Sequence, residues 1–205
     1  MIIAISGQPG SGSSTISKIL ARELNINHMS PGQIYKDIAR GIAQEQFYFG
    51  ELNLLIEREG LSIPRMSETN DSSAAINFWN TNLGKSEILH KIIDELQIRY
   101  AKRGNIIIDG KLSLHMLKDS AFKIWFKADI IQRAKRSANR DNISLEKSKL
   151  IIEGREAMER KEWMRIYGID YFSQEDIADL VIDTSVLKPE EIVNKILLRL
   201  EKENL

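Results

Sequence analysis

Between a short apolar run and an amphipathic segment lies Gly7-Gln8-Pro9-Gly10-Ser11-Gly12-Ser13-Ser14, which has the spacing of a glycine-rich phosphate loop. In such a loop the glycines let the backbone curl so that successive N–H groups point inward at the α- and β-phosphates. The helix that follows adds its positive dipole end. Ser14 occupies the hydroxyl position that would ligate Mg2+. Ser13, however, stands where the motif expects the lysine that reaches the β- and γ-phosphates. Losing one such contact typically lowers a rate about a hundredfold to a thousandfold. The amides, the metal and the dipole still suffice to hold a nucleotide, while another cation must supply the missing charge. Lys18 is poorly placed for this, because five residues along a helix turn it roughly 140° away from position 13. The bland alternative is an ordinary Gly/Ser connection between a strand and a helix. The coincidence of strand, loop, hydroxyl and amphipathic helix favours phosphate.

The elements that would position this loop follow from periodicity. Met1 to Ser6 reads as a buried strand. Ile16, Ile19, Leu20 and Leu24 then form one apolar stripe of a helix. Asn27 to Met29 reads as a second strand, and Ser30, Pro31 and Gln33 supply an N-cap, a first-turn proline and the far partner of a capping box. From Gln46 to Lys85 helical periodicity is weak, and Ser67 to Ser73 reads as a mobile loop. Ile88, Leu89, Ile92, Ile93, Leu96 and Tyr100 stripe a further helix, closed by Gly104, before the apolar strand Asn105 to Ile108 with Asp109 at its end. Phe122 to Phe126 is another strand, Ile130 to Arg140 a helix, Ser144 the cap of a long polar helix, Leu180 to Ile182 the last strand, and Pro189 opens a terminal helix. Apolar strands alternating with helices predict the α/β class, a parallel sheet sandwiched by helices, with ligands at the carboxyl ends of the strands.

Composition bounds the chemistry. The 205 residues suit one compact domain carrying inserted helical segments. The absence of cysteine excludes a disulfide scaffold, a thiol zinc cluster and a cysteine nucleophile, and it suits a reducing compartment. No stretch approaches the ~20 apolar residues of a membrane span, and the first apolar run is too short for a signal peptide. The expected location is the cytoplasm. Lys+Arg and Asp+Glu both total 29, which argues against a long nucleic acid as partner. Between Gln132 and Arg165, though, ten basic residues face six acidic ones. That surplus suits a small anionic ligand, and it equally suits a solvated helix laced with i,i+4 ion pairs. His28, His90 and His115 share no metal-ligand spacing. Trp79, Trp125 and Trp163 read as packing residues more readily than as base-stacking ones.

Several segments together resemble the cytidylate kinases, most closely the archaeal-type branch of the nucleoside monophosphate kinases, which have the P-loop NTPase fold. They are the phosphate loop, Ser30-Pro31-Gly32-Gln33-Ile34-Tyr35-Lys36, Ile108-Asp109-Gly110-Lys111, Lys123 to Ala128 with Arg133 and Arg136, Arg165 to Asp170, and Asp179-Leu180-Val181-Ile182-Asp183-Thr184. The resemblance implies a single kinase-like domain over 1–205. Its core would be 1–29, 104–131 and 169–205, its acceptor-binding insertion 30–103 and its lid 132–168. It implies ATP as phosphoryl donor, held by Gly7, Gln8, Pro9, Gly10, Ser11, Gly12, Ser13, Ser14 and Thr15, with Mg2+ at Ser14 and Asp109. Ser30, Tyr35 and Lys36 would line the acceptor site, Lys111 would meet the acceptor phosphate, and Glu159 would reach the acceptor base. Arg136, Arg140 and Arg155 would clamp the transferring phosphoryl group, giving with Ser13 and Asp109 the catalytic set.

The departures are specific. Lys36 and Lys111 replace arginines that the family usually carries, and lysine cannot make the bidentate fork that fixes a phosphate's orientation. Glu162 falls where relatives have arginine, and Trp163 where they have tyrosine. Some archaeal-type members also carry Ser or Thr at the position of Ser13. The expected activity is ATP-dependent phosphorylation of CMP or dCMP. The alternatives are a catalytically weak nucleotide-binding protein acting on a protein partner through 47–85, and a small-molecule kinase on the same scaffold.

Overall fold

The computed structural model describes residues 1–62, 78, 81–117, 121–172 and 174–205. Five strands form one sheet: β1 Ile2–Gly7, β2 Asn27–Met29, β3 Ile106–Asp109, β4 Phe122–Lys127 and β5 Leu180–Asp183, in the order β2-β3-β1-β4-β5. β1 runs parallel to β3 and β4, and β5 parallel to β4. The helices are α1 Ser13–Glu23, α2 Pro31–Arg40, α3 Phe49–Arg58, α4 Glu87–Ala101, the short α5 Ser113–Met116, α6 Ile130–Asp141, α7 Leu145–Tyr167 and α8 Pro189–Lys202. The fold is the expected parallel sheet flanked by helices. Among the described residues no helix is long and apolar enough to cross a membrane.

The chain divides into two compact units, Met1–His28 with Gly104–Leu205, and Met29–Arg103. In the first, Ile3 and Ile5 of β1, Ile124 and Phe126 of β4 and Ile182 of β5 pack against Ile16 and Leu20 of α1 and against Ile192, Val193 and Ile196 of α8. Full burial of one such side chain contributes roughly 1.5–3 kcal/mol, so this apolar layer fixes the strand ends from which the loops project. In the second unit, Tyr48 Oη donates to Asp37 Oδ2 at 2.5 Å, and Arg58 holds both carboxylate oxygens of Glu95 at 3.2 and 2.8 Å.

Local chemistry departs from the sequence reading in two places. Ser30 makes no side-chain cap bond to α2, and the Gln33 amide turns instead to Asp37 Oδ1 at 2.8 Å, so the capping box does not form. Within 46–85 the described residues include a whole helix, α3, whose buried Leu52, Leu55 and Ile56 supply the stripe. The loop expected at Ser67 to Ser73 and Trp79 lie outside the described residues. α6, for which the sequence reading named no cap, is capped by Asp129, whose Oδ1 accepts from the amides of Ile131 and Gln132 at 2.8 and 3.3 Å.

Candidate functional site

β1 ends at Gly7, and α1 begins at Ser13, so the phosphate loop bridges a strand end and a helix start. Gly10 and Gly12 have φ of 81° and 93°, the left-handed region where a side chain is strained. Gly10 also lies so close to Arg133 that a Cβ there would sit 3.0 Å from its carbonyl oxygen. Gln8 N donates to Phe126 O at 3.0 Å, and Gln8 Oε1 accepts from Ala128 N at 3.0 Å, which ties the loop to the end of β4. Thr15 and Ser14 are exposed on the first turn of α1, with Ser13 half-buried beside them.

Asp109, buried at the end of β3, is the hub on the other side of the loop. Its Oδ1 accepts from Ser14 Oγ at 3.2 Å, and its Oδ2 lies 2.9 Å from His28 Nε2. A hydroxyl beside one carboxylate suits Mg2+, which is usually held by one or two carboxylates and by substrate phosphates rather than by an all-protein cage. No group of three or more His, Cys, Asp or Glu residues that could hold a metal occurs among the described residues.

Arg136, Arg140 and Arg155 go to three different places. Arg136 Nη1 donates to Ser11 O at 3.3 Å and to Thr184 Oγ1 at 3.1 Å, while Nη2 donates to Thr184 O. Thr184 Oγ1 in turn donates to Ser11 O at 2.8 Å, so the last residue of the Asp-Leu-Val-Ile-Asp-Thr motif is a loop brace. Arg140 is 70% exposed and pairs with Asp141 at 2.8 Å. Arg155 pairs with Glu159 at 2.6 Å. Arg133, assigned no role from the sequence beyond its place in the motif, is buried and donates to Ala128 O at 3.0 Å and Pro9 O at 3.1 Å while pairing with Glu156.

Lys111 and Glu159 meet. Lys111 Nζ donates to Gly7 O at 3.3 Å, lies 3.5 Å from Glu159 Oε2, and sits 5.0 Å from the centre of the Tyr171 ring. Tyr171 Oη donates to the same Glu159 oxygen at 2.8 Å. Burial pulls the Lys111 ammonium down to about 8, against the opposing pull of Glu159. Burial alone would raise Glu159, but Lys111 and Arg155 hold its carboxyl below the usual range. Glu159 is thus an ionised partner with 12% of its side chain exposed, not a solvated surface charge.

In the other unit, Tyr35 Oη donates to Gly84 O at 3.1 Å, and its ring stacks on His90 with centroids 5.7 Å apart and planes 4° apart. Ser30 is the residue before α2, and Lys36 follows Tyr35 in the middle of that helix. Of the tryptophans, Trp125 is buried in β4, as its packing role requires.

Sequence reasoning gave no site role to His28, Tyr171, Gln174 or Thr184. Their partners lie 81, 12, 63 and 173 residues away, so no local spacing reveals these contacts.

The cytidylate kinase-like family matches residues 2–186. The chain is similar to the cytidylate kinase of Pyrococcus horikoshii, with 33% identity over 195 residues covering 94% of this chain and 84% of that protein. It is likewise similar to the cytidylate kinase of Methanocaldococcus jannaschii, with 33% identity and coverage of 95% and 94%. For that of Sulfurisphaera tokodaii the identity is 36% and the coverage 94% and 91%. Among solved structures, the shikimate kinase of Aquifex aeolicus superposes with a TM-score of 0.51 at 20% identity, covering 100% of this chain and 98% of that one. An uncharacterized protein from Eubacterium ventriosum gives a TM-score of 0.60 at 17% identity, with 98% of each chain covered. These two likenesses concern the fold alone.

Proposed function

The chain belongs to the cytidylate kinase-like family, and on that premise we propose that it transfers the γ-phosphoryl group of ATP to CMP or dCMP, giving ADP and the nucleoside diphosphate. The class of enzyme is a nucleoside monophosphate kinase with ATP as donor. The observation that carries the reading is the curled loop between β1 and α1 with the Ser14–Asp109 pair beside it.

Phosphoryl transfer asks little covalent chemistry of a protein and mainly needs positioning and charge neutralisation. The loop amides and the start of α1 hold the donor phosphates. Ser14 and Asp109 would hold Mg2+, which supplies charge neutralisation at the phosphates when bound. An oxygen of the acceptor's phosphate attacks the γ-phosphorus, and the bond to the bridging oxygen of the β-phosphate breaks. That attacking group is largely a dianion at neutral pH, with a second pKa of about 6, so no general base has to remove a proton. The reading assigns 30–103 to acceptor binding, with Ser30, Tyr35 and Lys36 as contacts, and 132–168 to covering the phosphates and excluding water.

A coupled assay with ATP, Mg2+ and CMP, dCMP, UMP, AMP and GMP tests this. The expected outcome is the highest kcat/KM with CMP or dCMP, and Lys36→Ala should raise KM for them more than it lowers kcat. Calorimetric binding of ATP with no acceptor-dependent product would support the weak nucleotide-binding alternative, which the serine at position 13 motivates.

A further inference from the structure

Asp109 ends β3, which lies between β2 and β1 in the sheet. Its side chain is therefore flanked by β2 on one side and, on the other, by the phosphate loop that leaves β1. The backbone at this point is pinned: Gly110 N donates to Ile5 O at 3.0 Å, and Ser6 Oγ donates to Gly110 O at 2.5 Å. Pinning the backbone does not fix the carboxylate, because the last torsion of an aspartate is broad and roughly twofold. Which oxygen faces the loop is decided by the partners of the carboxylate itself.

His28, the middle residue of β2, is such a partner. Next to it, Asn27 N donates to Asn105 O at 3.0 Å and ties β2 to the start of β3. His28 Nε2 lies 2.9 Å from Asp109 Oδ2, and the two side chains are 19% and 6% exposed. An ionised carboxylate only accepts, so Nε2 carries the proton. With Oδ2 occupied from β2, Oδ1 faces α1 and takes the single hydroxyl proton of Ser14 at 3.2 Å. The lone pairs of Ser14 Oγ are then left for a cation. His28 is itself a poor ligand for Mg2+, which takes oxygen donors. It holds the carboxylate instead, at the far end of a chain of hydrogen bonds that leads through Asp109 to the Ser14 hydroxyl.

We propose that His28 is a positioning residue for the metal: by holding Asp109 Oδ2 it fixes the carboxylate so that Oδ1 and the Ser14 hydroxyl are presented together to Mg2+ bound with the donor phosphates. This rests on the reading of Ser14 and Asp109 as the metal site of the kinase. Without His28 the carboxylate turns and the hydroxyl loses its fixed acceptor. A hydrogen bond that orients a metal ligand is typically worth about tenfold to a hundredfold in metal affinity or activity. The cost falls on the metal-dependent part of nucleotide binding, because the loop amides and the start of α1, which hold the phosphates, do not depend on His28.

The test compares His28→Leu, His28→Asn and His28→Gln with the parent. ATP affinity is read by calorimetry, once with Mg2+ and once with EDTA, folding by thermal melting, and kcat against Mg2+ concentration by steady-state assay. His28→Leu and His28→Asn, the latter too short to reach Asp109, should lower ATP affinity in Mg2+ about tenfold to a hundredfold. Their affinity in EDTA should stay within about twofold of the parent, as for a site with no shared partner. His28→Gln, whose amide N–H comes near the place of Nε2, should recover most of the loss. If the leucine variant does not fold, the asparagine variant carries the comparison. A folded variant that lacks the donor yet keeps the parent's gain in affinity from Mg2+ would overturn the proposal. So would an equal loss in Mg2+ and in EDTA, which marks a general prop of the loop, and so would His28→Gln performing no better than His28→Asn. If the parent gains affinity from Mg2+ but makes no diphosphate from any monophosphate, the kinase reading fails instead, and the calorimetric comparison still decides the role of His28.

Discussion

Arg133 and Arg136 on α6 differ in fate from Arg160 and Arg165 on α7, although all four come from one basic stretch. The α6 pair turns inward: Arg133 is 4% exposed, and both guanidiniums are bonded to carbonyls of the phosphate loop. The α7 pair stays in solvent, with Arg160 bound to Asp170 and Arg165 to Glu162 at 3.0 Å, each about half exposed. Net charge therefore says little about which cations matter. Burial and the identity of the acceptor decide it, because an ion pair loses most of its worth in water, while a buried charge stripped of its partner is heavily penalised.

Arg133→Ala leaves Glu156 without its buried partner and frees Pro9 O, so thermal melting should reveal a loss of about 3–5 kcal/mol. For a chain of this size that corresponds to a Tm lower by roughly 2–4 °C per kcal/mol. Arg136→Ala removes the donors to Ser11 O and Thr184, and urea unfolding should show a loss of about 1–3 kcal/mol. Its larger effect should be on activity, with kcat down by about a hundredfold, since a loosened loop no longer presents its amides in register. Arg165→Ala should shift stability by less than about 1 kcal/mol. Glu162→Arg, which sets a like charge beside Arg165 in place of its partner, should destabilise by no more than about 0.5 kcal/mol. Equal losses for Arg133→Ala and Arg165→Ala would dissolve the distinction between the two regions.

Much of this arrangement was legible in the sequence where the signal is local. Gly10 and Gly12, the apolar strand before them and the stripe of Ile16 and Leu20 after them mark the loop and its supports within 20 residues. Asp109 was readable as a strand-end carboxylate. What stayed hidden depends on strand order and helix pairing. Lys111 reaches Gly7 only because β3 lies beside β1, and Glu156 finds Arg133 only because α7 folds back along α6, where Ser148 Oγ also donates to Ala134 O at 2.9 Å. The capping box at Ser30 failed for the opposite reason: the local pattern was present, but Gln33 found the buried Asp37 a better acceptor. The helix α3 escaped because its stripe, Leu52, Leu55 and Ile56, is short, interrupted by the exposed Leu54 and preceded by the exposed Phe47.

If this loop, without its own lysine, still delivers the γ-phosphoryl group to a pyrimidine monophosphate, a reaction containing ATP, Mg2+ and CMP, resolved by anion-exchange chromatography, should yield CDP and ADP in equal amounts, with ADP formation falling to background when CMP is omitted. ADP accumulating at the same rate with and without CMP, or no ADP at all, would show that no such transfer occurs.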